Sequence, residues 1–130
     1  MARRLNHRRP GGYVAIDHVL LDSKAYRDLK PAAKALLIEF ANRYRPGRNG
    51  YISISVREAE KLVRASRRTV ELAFKSLVEH GFIVMTNPHH WQNGRAREWR
   101  LTFQPGANNT EPTDEWERWR PSSRGTEFKH

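Results

Sequence analysis

The chain has 130 residues, about one domain's worth, with 38% hydrophobic and 10% aromatic content, which suits a folded chain rather than a wholly disordered one. It contains no Cys, which excludes disulfides and thiolate metal sites. Lys and Arg outnumber Asp and Glu by 24 to 14, for a formal net charge of +10, so polyanions head the list of partners. No apolar run approaches the ~20 residues of a membrane span.

Residues 1–12, MARRLNHRRPGG, carry four arginines and no acid, and read as a flexible basic arm. No hydrophobic segment follows those charges, so no secretory signal is expected and a cytoplasmic location follows. YVAIDHVLL at 13–21 is apolar and partly alternating, and SKAYRDL after it suits a helical turn. LKPAAKALLIEFANRY is a strong helix: Pro31 fits the first helical position, and Ala33, Leu36, Leu37, Phe40, Ala41 and Tyr44 share one face. Pro46-Gly47 stops it, and RPGRNG at 45–50 has the chemistry of a loop.

YISI at 51–54 reads as a short strand. SVRE at 55–58 is a capping box, in which Ser55 caps the amide of Glu58 and the Glu58 side chain reaches back. The helix it starts runs to about Val63 and is expected to bury Ala59, Leu62 and Val63. Arg64-Ala65-Ser66 makes a three-residue turn. The next helix runs from Arg67 to about His80, with Val70, Ala73, Phe74, Leu77 and Val78 on its inner face and Gly81 just past its end. FIVMT at 82–86 and REWRLTF at 97–103 read as two strands, with Asn93-Gly94 as a hairpin signal between them. Trp99, Leu101 and Phe103 alternate inward. From residue 104 to 130, Pro, Gly, Asn, Ser and Thr dominate, so a mostly disordered tail is expected. Its DEWERW segment, within 114–120, leaves open docking on a protein partner or on the chain's own domain.

Ser66 begins a helix whose first two positions are Arg67 and Arg68. Cations there oppose the helix dipole by roughly 0.3–1 kcal/mol each at an exposed site. Free amides at such an end favour an anion, so two arginines make a cationic site suited to phosphate or a guanine edge. The competing reading is that they are merely solvated or pair with Glu71.

On a wheel of about 100° per residue, Arg67, Arg68, Glu71, Leu72 and Lys75 lie away from the core stripe. Arg67 or Arg68 suits a fork onto guanine O6 and N7. Ser66 and Thr69 suit phosphate, and Lys75 suits backbone. Glu71 suits a cytosine amino group or an intrahelical cation.

Helix, short strand, helix, tight turn, helix and hairpin, carried by SVREAEKLVRASRRTVELAFKSLVEHGFI, resemble the bacterial winged helix-turn-helix superfamily. Residues 13–103 look most like DNA-binding domains of phage and plasmid replication proteins and regulators. The resemblance implies a mainly α fold with a small β-hairpin: a three-helix core plus a wing. It implies sequence-specific binding of double-stranded DNA, in transcription regulation or replication initiation, through a recognition helix at about 67–80 and a wing bearing Arg95 and Arg97. The arm residues Arg3, Arg4, Arg8 and Arg9 would then tether phosphates or the minor groove. A homodimer stays open.

Two departures stand out. Relatives usually carry Ala one place after Ala59, where this chain has Glu60, and Gly in the turn, where it has Arg64. A positive φ at Arg64 would cost on the order of 1 kcal/mol, which a charge facing DNA would explain. His89-His90 alone is weak as a metal site. No nucleophile motif, phosphate-cradling glycine loop or HExxH is present, so neither an enzyme nor a cofactor is expected. The alternatives to DNA binding are a winged-helix protein-interaction module and an RNA binder.

Overall fold

The computed structural model describes residues 9–88 and 97–121. Among these residues, five helices precede a two-stranded antiparallel sheet: α1 His18–Leu21, α2 Lys24–Asp28, α3 Pro31–Arg43, α4 Val56–Val63, α5 Arg67–Glu79, β1 Ile83–Met85 and β2 Trp99–Leu101. A 3-10 helix follows at Glu115–Arg118. Among the described residues, no helix is long and apolar enough to cross a membrane.

The longer helices form where spacing and caps agree. Pro31 opens α3, where its missing N–H has no helical partner to lose. Ala33, Leu36, Leu37, Phe40 and Ala41 are buried along one stripe of α3, and Tyr44 beyond its end is half-buried. α4 has both bonds of its capping box: Glu58 N–H donates to Ser55 Oγ at 3.0 Å, and Ser55 N–H to Glu58 Oε1 at 3.1 Å. Ser66 caps α5 through the Thr69 N–H at 3.2 Å. Val70, Ala73, Phe74 and Leu77 are buried in α5.

Two inner-face assignments do not hold. Leu62 is 41% exposed and Val78 44%. Each sits about a quarter turn from the centre of its helix's buried stripe, where solvent replaces the core.

β1 and β2 pair in the register Ile83↔Leu101, Val84↔Arg100 and Met85↔Trp99. Period-two alternation turns Trp99 and Leu101 inward, both essentially fully buried, with Phe103 packed on the same core. The expected strand at 51–54 reduces to one bridge, Ile52↔Trp99. Below it a side chain takes over the strand's role. Asn49 accepts from Leu101 N–H at 2.7 Å and donates to Leu101 O at 2.9 Å. Phe40, Phe74 and Trp99 meet at the core's centre, with ring centroids 5.8–6.1 Å apart.

The tail departs most from expectation. Residues 104–121 pack onto the domain, although their composition predicts disorder; 122–130 lie outside the described residues. Asp114 N–H donates to Thr102 O at 2.9 Å, which starts the segment along the end of β2. Trp116 is 5% exposed and stacks on Phe82, with centroids 6.2 Å apart. A Cβ on Gly81 would lie 2.8 Å from Trp116 N, so glycine admits the strap's backbone. Arg100 of β2 donates to Thr113 Oγ1 at 2.7 Å and pairs with Glu115 at 3.4 Å. DEWERW therefore docks on its own domain. Composition hides this because two indoles, rather than a long apolar run, supply the burial.

Candidate nucleic-acid interface

α4 and α5 are joined by a turn that holds a non-glycine residue in a glycine-favouring conformation. Arg64 sits at φ 61°, ψ 53°, in the left-handed region, and its N–H donates to Glu60 O at 2.9 Å. That conformation closes α4 as a glycine would, with a Cβ penalty on the order of 1 kcal/mol. The Arg64 side chain is exposed. Glu60, one place after the buried Ala59, is half-buried.

The turn delivers Ser66, Arg67, Arg68, Thr69, Glu71, Leu72 and Lys75 to solvent, and all seven are exposed. Leu72 is 50% exposed, a large apolar side chain amid polar ones. Arg67 Nε and Glu71 Oε2 lie 3.2 Å apart, one turn apart on α5. Glu71 is thus the intrahelical partner of Arg67. Lys75 approaches Glu79 at 3.9 Å. Exposed pairs of this kind contribute roughly 0.3–0.5 kcal/mol and open readily. No acid pairs with Arg64 or Arg68 among the described residues. The amino end of α5 therefore holds free cations and main-chain N–H groups together, and its first turn has no acidic residue.

Ser66 caps the helix it begins. Its hydroxyl accepts from Thr69 N–H and donates to Thr69 Oγ1 at 3.1 Å. Its proton is engaged within the cap, so Thr69 keeps the hydroxyl free to donate outward.

The described part of the hairpin places two of its arginines. Arg97 is half-buried at the foot of β2, and Arg100 is turned toward the strap. Arg95, Trp91, His89 and His90 lie outside the described residues, as do Arg3, Arg4 and Arg8 of the arm. Arg9 is exposed. No group of three or more His, Asp or Glu side chains converges as a metal site among the described residues.

A feature without a signature in the sequence flanks α5. A cleft of about 400 Å³ lies between the start of α3 and α5, lined by Asp28, Lys30, Ala32, Ala33, Thr69, Leu72, Ala73, Ser76 and His80. His80 in that lining is only 8% exposed. Nδ1 lies 2.7 Å from Ser76 O and Nε2 2.9 Å from Asp28 Oδ2. Lys30 and Thr69 are 39 positions apart, and no local pattern links them. Compared with family models, curated proteins and solved structures, the chain matches none.

Proposed function

We propose that this chain is a winged helix-turn-helix protein that binds double-stranded DNA, with α5 in the major groove and the β1–β2 hairpin and arm against the backbone. Its role would be transcription regulation or replication initiation in the cytoplasm. The observation that carries this reading is the amino end of α5. Arg64 holds a strained backbone beside it, Arg67 and Arg68 oppose its dipole, and all three side chains are exposed. Local rules are broken together at one place, as happens at functional sites. Beside a phosphate or a guanine edge the same charges become favourable. Arg68 carries the reading of bases, because Glu71 draws Arg67 aside.

Selection from a random duplex library, followed by salt titration of the winning sequence, tests this. The expected result is an enriched motif bound with a slope near −0.9 per phosphate neutralised. A palindromic motif would indicate a homodimer. Loss of binding on Arg67→Ala with Arg68→Ala would support the assignment. No duplex binding at roughly 150 mM salt, or preference for single strands or RNA hairpins in competition, would overturn it.

A further inference from the structure

We infer that Lys30, from the start of α3, is a backbone-gripping residue of the same interface, and that the cleft between α3 and α5 seats one sugar-phosphate strand of duplex DNA. This rests on the DNA-binding reading above and extends it to residues outside the helical motif and the hairpin.

The outer face of α5 runs from Arg68 and Lys75 round to Leu72, and then to Thr69 and Ser76. Those last three side chains form one wall of the cleft, and Lys30, Ala32 and Ala33 form the other. A duplex that places a groove over Arg68 and Leu72 therefore brings backbone toward the cleft's mouth. The lining suits that occupant. Lys30 is exposed, and among the described residues no acid pairs with it. The cleft's one carboxylate, Asp28, is engaged by His80 at 2.9 Å. Thr69 keeps a hydroxyl proton to donate, because Ser66 already fills its acceptor side. Ala32, Ala33, Leu72 and Ala73 give the cleft an apolar lining that fits the deoxyribose face of a backbone. A lysine, a hydroxyl and an apolar lining around about 400 Å³ suit phosphate and sugar without reading a base.

The test uses the full chain and the duplex found by selection. Lys30→Ala is compared with Lys24→Ala, an exposed residue of α2 with the same charge change. The expected result for Lys30→Ala is a salt slope flatter by about 0.9. That corresponds to about an eightfold loss of affinity at 0.1 M salt, extrapolated from 1 M. The selected sequence motif and the thermal melt should be unchanged. Lys30→Arg should restore the slope, and ethylation of backbone phosphates should interfere at one strand position that Lys30→Ala makes insensitive. If the parent binds duplex and Lys30→Ala matches Lys24→Ala in slope, the inference falls while the DNA-binding reading stands. If the parent binds no duplex, both fall.

Discussion

Trp119 lies flat against His80, with ring centroids 4.6 Å apart and 19° between the planes. The imidazole is itself held by Ser76 of α5 and Asp28 of α2. The strap therefore ends on the ring that joins those two helices. Trp119→Ala should lower unfolding free energy by about 1–2 kcal/mol, since stacking alone contributes about 0.5–1.5. Trp116→Ala empties a fully enclosed site and should cost about 3–5 kcal/mol. Denaturant unfolding of the two variants measures both, and the order matters: a harmless Trp116→Ala would mean that the strap is not part of the folded unit.

Gly81 leaves no room for a side chain against the strap. Its φ is 84°, and an added Cβ would meet Trp116 N at 2.8 Å and Glu115 C at 2.9 Å. Gly81→Ala should destabilise by well over about 1 kcal/mol, because the left-handed penalty adds to a backbone clash. In a Trp116→Ala background the loss should be smaller, and a double-mutant cycle on melting curves reads that coupling.

Arg64→Gly separates stability from binding. Relief of the left-handed strain should raise stability by about 1 kcal/mol. Loss of the charge should flatten the salt dependence of duplex binding by about 0.9. A variant that is more stable and binds as the parent does would remove Arg64 from the interface.

Glu71→Gln frees Arg67 and removes a negative charge from the surface proposed to face DNA. Helix stability should fall by no more than about 0.5 kcal/mol. Duplex affinity should rise with a steeper salt slope, measured by fluorescence anisotropy on a labelled duplex. A loss of preference at one base pair instead would mean that Glu71 reads a base.

Acid should loosen the strap. Burial pushes the Glu115 carboxyl up, but the Thr113 hydroxyl, its own main-chain N–H and Arg100 together hold it below the ordinary glutamate value. A carboxyl lowered on folding stabilises at pH above its unfolded value, near ~4.3, and that contribution disappears as pH falls through the folded value. Glu115→Gln should therefore be less stable than the parent at pH 7, and the gap should close below about pH 4. Unfolding curves across that range decide it. Glu58 is lowered as well, by Arg43 first and then by the Ser55 N–H, so Glu58→Gln should behave the same way.

Features built from neighbours in sequence are legible from the residues alone. The stripe Leu36, Leu37, Phe40 needs only helical spacing, and the Ser55–Glu58 box only three residues of separation. Arg64 stands out because the turn admits glycine most easily. Trp99 and Leu101 follow from strand parity. What stays hidden depends on partners far apart in the chain. Asn49 reads as a loop residue because its partner is Leu101, 52 positions on. Trp116 reads as part of a polar tail because Phe82 and Gly81, which receive it, lie more than thirty positions away. Lys30 carries no signal at all, since α3 and α5 bring it to Thr69 only on folding. At the candidate interface, the exposed row on α5 is readable, while the engagement of Arg67 by Glu71 and of Ser66 by Thr69 depends on rotamers that spacing leaves open.

The side chain of Asn49 has one more effect. A short sheet normally leaves an outer rim of main-chain groups able to zip onto another polypeptide. On β2 that rim is occupied: Ile52 takes the groups of Trp99, and the Asn49 amide takes both groups of Leu101. The loop that carries Asn49 thus guards against aggregation, leaving no bare β2 rim on which a second copy could add a strand.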